Sequence, residues 1–298
     1  MLTIEKYAAI DIGSNAIRLL IVTVIEKAGR ITQFKKTSLV RVPIRLGADV
    51  FLEGEITEEN YLRLVDAMMA YKLLMQTHKV VRYRACATSA MREAANGSEI
   101  VRRIKKETEI EIQIIDGKDE AAIIASTDLL DLIYTERSFL YVDVGGGSTE
   151  FTVFANGHTI ASKSFRLGTL RILNNMVQKS DWEEVQKWIE KNTSEHENID
   201  LIGSGGNINS IYKSSEKRIG EPLSYFYLTN YYEKLKSLSY NDRIFELQMN
   251  PDRADVIIPA TQIYLSAMKW SKAENIYVPK IGLSDGIIRS LYSEKINE

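Results

Sequence analysis

Apolar positions along this chain recur with two periods, and stretches of each alternate. Branched and apolar residues crowd 8–12, 17–25 and, more loosely, 31–41, which predicts an opening meander of three strands. A helical period takes over after Thr57, which is placed to cap a helix with Glu58 and Glu59 in its first turn, running to about Thr77. Residues 80–87 read as the next strand. Ser89 and Ser98 stand where they can cap two following helices, the second ending near Thr108. Residues 111–115 form a further strand, and Gly117 turns into a helix over 119–134. The second half repeats this order. A strand over 138–144 leads to a hairpin of 150–154 and 158–166 across Asn156-Gly157, the strongest short turn signal in the chain. Residues 167–177 read as helical, and Ser180 with Glu183 makes a capping-box pattern ahead of a helix ending near Asn192. A short strand at 201–202, a helix over 254–270 with Pro259 near its start or kinking it, a strand at 275–278 and a last helix complete the pattern.

A chain of 298 residues is long for one hydrophobic core, so two domains are expected. The boundary falls in the helix over 119–134, which gives domains of 1–124 and 125–298, with the final helix (about 286–298) free to pack back on the first. With 45% hydrophobic and 26% charged residues, the composition is that of an ordinary globular protein. No apolar run is long enough to cross a bilayer, and the first residues enter a strand without a signal-peptide pattern. The lone cysteine, Cys86, has no internal partner, which fits a reducing compartment; a cytoplasmic protein without membrane association is expected. Its apolar surroundings point to packing rather than reactivity. A net charge of −2 argues against a nucleic-acid polymer as partner. His78, His158 and His196 are too scattered for a zinc site.

Two glycine-rich turns carry the chemistry. Each opens with an aspartate at the end of an apolar strand: Asp11-Ile-Gly-Ser-Asn15 and Asp143-Val-Gly-Gly-Gly-Ser-Thr-Glu150. Glycine lets backbone N–H groups converge on an anion. The aspartates are themselves negative, so a divalent cation or a water must stand between them and a phosphate. A third turn, Gly203-Ser-Gly-Gly-Asn207, follows the strand at 201–202. The duplicated order of strand, turn, two strands, helix, strand and helix is unlike the dinucleotide-binding βαβ fold. It indicates an α/β protein of duplicated ribonuclease-H-like domains, as in the actin, sugar kinase and Hsp70 superfamily, with phosphoryl chemistry in an interdomain cleft.

Six blocks in order resemble the exopolyphosphatase and guanosine pentaphosphate phosphohydrolase (Ppx/GppA) family. They are Asp11-Ile-Gly-Ser-Asn15, Ala87-Thr-Ser-Ala-Met-Arg-Glu-Ala-Ala-Asn-Gly97, Ile115-Asp-Gly-Lys-Asp-Glu-Ala121, Asp143-Val-Gly-Gly-Gly-Ser-Thr-Glu150, Gly203-Ser-Gly-Gly206 and Leu283-Ser-Asp-Gly286. Any one block is weak; the ordered set is specific. The resemblance implies two actin-like domains, as in the short form of the family, and hydrolytic removal of terminal phosphate from a phosphoanhydride chain. Two departures stand out: Ala122 occupies a position where many relatives carry arginine, and Lys118-Asp119-Glu120 replaces a common pair of adjacent glutamates.

The resemblance places the catalytic glutamate on Glu120, which would orient and deprotonate water. The bland alternative is an acid favoured in a first helical turn. Asp143 and Glu150 would be the carboxylates on a magnesium ion, directly or through water, with Asp11 joining the site. The alternative for both aspartates is ordinary turn geometry. Gly145, Gly146, Gly147, Ser148 and Thr149 would hold terminal phosphates, with Ser14 and Asn15 from the other domain and Gly205 and Gly206 extending the cradle. Arg92 would clamp phosphate oxygens as a second catalytic group, assisted by Ser89. Asp285 either caps the last helix or touches ligand. The expected substrate is inorganic polyphosphate, with guanosine pentaphosphate as the near alternative. A kinase of the same superfamily and a non-catalytic nucleotide-sensing module are more distant readings. A homodimer is compatible with the resemblance, but no exposed stripe establishes one.

Overall fold

In the computed structural model, residues 1–125, 127, 137–196, 198–218 and 220–297 are described. They fall into two units, Met1–Thr127 with Leu283–Glu298, and Asp128–Gly282. The expected boundary after residue 124 allowed the final helix to pack back on the first domain; the units divide after Thr127, with Leu283–Glu298 in the first.

Branched residues on both faces of β1 (Leu2–Ile12) and β2 (Ile17–Lys27) make these the centre of the first unit, with Tyr7, Ile10, Leu19 and Ile21 fully buried. β2 and β3 (Gln33–Val42) run antiparallel beside β1, and β4 (Arg82–Ala87) and β5 (Ile112–Ile114) run parallel on its other side. The order is β3-β2-β1-β4-β5. β1 starts six residues earlier than expected because Leu2 to Lys6 pair in register with Lys27 to Thr23 of β2, and Lys295 of the C-terminal helix Leu283–Asn297 donates to Glu5 and Glu26.

The helices follow less closely. α1 (Leu46–Glu53) was not expected: Pro43 and Gly47 mask its period, and a tertiary bond from the Gly47 amide to the Ser14 carbonyl (2.8 Å) anchors it. α2 (Glu58–Thr77) starts as expected, the Thr57 hydroxyl accepting from the Asn60 amide. Ser89 does not cap α3 (Ser89–Glu93), because its hydroxyl pairs with that of Ser14; the N-cap is Thr88. Nor does Ser98 cap α4 (Gly97–Thr108), which starts two residues sooner behind Asn96. α5 (Gly117–Ala125) covers the first part of the helix expected over 119–134; residues 126 and 128–136 of that expectation lie outside the described residues.

The second unit is built on β6 (Phe139–Val144), β7 (Thr149–Ala155), β8 (His158–Phe165), β9 (Asp200–Ser204), β10 (Leu223–Ser224) and β11 (Asn275–Tyr277), in the order β10-β11-β9-β6-β7-β8. β7 and β8 are antiparallel neighbours and β9 and β11 parallel ones, so β8-β7-β6-β9-β11 restates the first sheet, with β10 added at the edge. The ribonuclease-H-like topology is therefore present twice. The hairpin turns at Asn156 and Gly157, both with φ positive, as the dipeptide predicted.

α6 (Thr169–Leu173) is shorter than expected. α7 (Lys179–Thr193) is boxed by Gln178 and Asp181 rather than by Ser180 and Glu183. α8 (Gly206–Ser214), α9 (Tyr225–Ser237) and α10 (Tyr240–Phe245) follow. The helix expected over 254–270 is two, α11 (Pro251–Ala254) and α12 (Ile257–Ser271). Pro259 lies in the first turn of α12, where its missing N–H removes no helical bond, so it does not kink the helix.

Candidate functional site

In parallel strands the loops at the carboxyl ends gather on one edge of the sheet, where such folds bind ligands. In the first unit these ends are in register. The Thr88 amide donates to the Ile12 carbonyl and the Ile115 amide to the Ala87 carbonyl, so the three blocks after β1, β4 and β5 emerge side by side. Ser14 and Ser89 meet through their hydroxyls at 2.9 Å, both buried. Asn15 uses its carbonyl to accept from the Arg45 amide, which joins the first turn to α1. Arg92 donates from Nη1 to the Ile115 carbonyl at 2.7 Å, tying α3 to the segment that carries Glu120. Glu120 is buried on α5, its amide bonded to the Asp116 carbonyl. The Asp116 carboxylate accepts from the amides of Asp119 and Lys118, which hold it below the usual carboxylate range.

The second unit repeats the turn. Gly13 and Gly145, each two residues after its aspartate, donate to the carbonyl three residues on: Ala16 at 3.1 Å and Ser148 at 2.9 Å. Beyond Gly145, the amides of Gly146, Gly147 and Ser148 donate to no protein group among the described residues. The turn's carbonyls are held from behind, Gly145 and Gly146 by the amides of Thr169 and Leu170, and Gly147 by Nε of buried Arg171. With the carbonyls so engaged, the N–H groups of the turn are left to bind an anion. Thr149 is not part of that cradle: its fully buried hydroxyl donates to the Leu167 carbonyl, so it fastens the turn instead.

At the position opposite the aspartate, the two units differ. Asp11 faces Arg18 across β1 and β2, and the guanidinium is 2.7 Å from the carboxylate. Asp143 faces Glu150 across β6 and β7. In each case the partner comes seven residues after the aspartate. Two carboxylates directly opposite one another repel unless a cation or hydrogen-bond donors compensate. Donors are present: Ser148 and Ser164 both donate to Glu150 Oε1, at 2.7 and 2.8 Å, and Ser204 donates to Asp143 at 3.2 Å. This set of hard oxygens fits magnesium, which takes one or two carboxylates and keeps several waters. Asp11 fits it less well, since Arg18 already balances its charge. Among the described residues no group of three or more acidic, histidine or cysteine side chains is arranged around a metal position.

The third turn follows β9. Gly205 has φ of 102° and ψ of 162°, a conformation open essentially to glycine alone. A Cβ there would lie 3.1 Å from the Val144 carbonyl and 3.2 Å from Asp143 Oδ1. Gly206 faces Arg253, whose guanidinium would be 2.4 Å from an added Cβ and which donates to Asn207. Asp285 lies inside the first turn of the C-terminal helix and pairs with Lys36 at 2.7 Å within the first unit.

Arg18, Ser164, Ser204 and Arg253 were missed in the sequence. The seven-residue spacing after each aspartate was the available signal for Arg18. The others become neighbours only through strand pairing and helix packing.

The model of the Ppx/GppA phosphatase family matches residues 24–295. The bifunctional 3-dehydroquinate synthase/phosphatase of Fusobacterium nucleatum is 31% identical over 92% of this chain and 46% of its own length. Exopolyphosphatase 1 of Mycobacterium tuberculosis is 26% identical over 56% of the chain and 47% of its own. The guanosine-5'-triphosphate,3'-diphosphate pyrophosphatase of Photobacterium profundum is 30% identical over 54% and 31%. The chain thus spans about half the length, or less, of these curated relatives. Among solved structures, an exopolyphosphatase from Cytophaga hutchinsonii superposes with a TM-score of 0.83 at 23% identity, over 97% of this chain and 98% of that one, which shows the shared fold. Matched along nearly its whole length, with the aspartate turns and the glutamate segment set on strand ends in both units, the chain belongs to the Ppx/GppA phosphatase family.

Proposed function

We propose that this chain hydrolyses the terminal phosphoanhydride bonds of inorganic polyphosphate with magnesium, releasing orthophosphate. The observation that carries the reading is the in-register carboxylate pair Asp143 and Glu150 beside three free turn amides. That is what a phosphate chain with a divalent counter-ion requires. Asp143 and Glu150 would hold the magnesium, which when bound neutralises charge on the phosphates. Gly146, Gly147 and Ser148 donate N–H bonds to terminal phosphate oxygens. Glu120, buried and fixed by the capped start of α5, orients the attacking water and takes its proton. Arg92 serves first as the tether that holds this segment, and its remaining N–H groups offer positive charge to the transferring phosphoryl group. Gly205 keeps the backbone close behind Asp143.

A second reading, hydrolysis of guanosine pentaphosphate, draws support from the 30% identity to the pyrophosphatase relative. Orthophosphate release should be measured from long polyphosphate, short polyphosphate and guanosine pentaphosphate, with and without magnesium. Faster release from polyphosphate is expected; preference for the nucleotide would select the second reading. Glu120→Gln should retain polyphosphate binding and lose about 10²–10⁴-fold in rate. A Glu120→Gln protein of normal turnover would remove the residue from the mechanism.

A further inference from the structure

The second unit carries a cavity of about 470 Å³ that the reaction above does not use. Its floor is the buried pair Met268 and Ala273, and its wall is Tyr225 and Phe226, the latter 74% exposed. The Tyr225 amide bonds the Glu274 carbonyl at 2.8 Å, which fixes wall to floor. Lys269 and Lys272 line its rim and make no ion pair among the described residues. Both also line a second cavity of about 720 Å³ beside Trp270 and Ser271, so the two lysines border both spaces.

Topology sets this cavity apart from the candidate site. Ser224 pairs with Asn275 at the amino end of β11, which runs parallel to β9. Asp143 and Ser204 lie at the carboxyl ends of β6 and β9. The length of β9 alone puts on the order of 13 Å between the two edges.

We infer that this cavity is a second ligand site, for a small molecule with a planar apolar body and one or two negative charges. Its size is that of a small-molecule pocket. An exposed phenylalanine beside a tyrosine offers faces for a flat ring. Two lysines against the single acid of the lining, Glu274, select an anion over a neutral or cationic analogue. The inference is independent of the proposed reaction, since none of these residues belongs to it.

The test uses 8-anilinonaphthalene-1-sulfonate, a planar apolar anion, followed by its fluorescence on the full chain, and its uncharged counterpart N-phenyl-1-naphthylamine. One saturable site is expected, with the uncharged dye at least tenfold weaker. Lys269→Glu with Lys272→Glu, and separately Phe226→Ala, should each weaken the anionic dye at least tenfold. Circular dichroism and orthophosphate release should stay unchanged, because all three side chains are exposed and outside the catalytic edge. Absence of a saturable site, equal binding of the two dyes, or variants within twofold of the parent would each overturn the inference.

Discussion

Gly205→Ala tests how closely the third turn supports the carboxylate at the proposed site. The parent backbone has φ of 102° and ψ of 162°, so any L side chain is strained there by about 1–3 kcal/mol. The added methyl would also meet the Val144 carbonyl at 3.1 Å and Asp143 Oδ1 at 3.2 Å, tighter than ordinary van der Waals contact. One of these must give by a few tenths of an ångström, and the side-chain oxygen is the softer. Gly220→Ala supplies the control: φ is 93°, but nothing lies within 4 Å of the added carbon, so the cost is strain alone, about 1–2 kcal/mol. All three tryptophans, Trp182, Trp188 and Trp270, lie in the second unit, so urea unfolding followed by their fluorescence reads the unit that holds both glycines. Both variants should lose stability. Only Gly205→Ala should also lose orthophosphate release, by tenfold or more, equivalent to about 1.4 kcal/mol in the barrier. Equal activities in the two variants would refute the link between this turn and Asp143.

Three further outcomes are expected. Burial pushes the Cys86 thiol up to about 12, so iodoacetamide at pH 8 should label it only after denaturation; rapid labelling of the native chain would contradict the buried placement. Glu26 is held below its ordinary value of 4.5 by bonds from Lys295 and then Tyr292. Its contribution, about 1 kcal/mol or less at such a partly exposed site, is complete above pH 4.5 and lost as pH falls through the lowered value. The gap in thermal midpoint between the parent and Glu26→Gln should therefore close on acidification, and a gap that widens would reverse the assignment. Tyr264→Phe removes a fully buried hydroxyl that donates to the Ser204 carbonyl and should cost about 1–3 kcal/mol by tryptophan-monitored unfolding. A change under 0.5 kcal/mol (an estimate of the surface-like limit) would argue that this bond is not formed.

Strand periods, the Asn156-Gly157 hairpin and the two aspartate turns were legible along the chain because each depends on neighbours a few residues apart. The duplicated topology followed, since one order of elements appears twice. Helix starts were read less well. Ser89, Ser98 and Ser180 all have the chemistry of a cap, yet Ser89 bonds Ser14, seventy-five residues away, and the helices near Ser98 and Ser180 begin behind Asn96 and Gln178. α1 was invisible because a bond to the Ser14 carbonyl, rather than propensity, secures its start.

The same division runs through the candidate site. The chain's order of residues announces two phosphate-type turns and the family's glutamate segment, because glycine, aspartate and apolar spacing encode a turn wherever they occur. What stands across from each aspartate is a matter of strand register. Pairing puts a guanidinium against Asp11 and a second carboxylate against Asp143, so turns nearly alike in sequence differ in the charge they can accept. Electrostatic energy depends on distance in space, and only the folded sheets bring those groups within range.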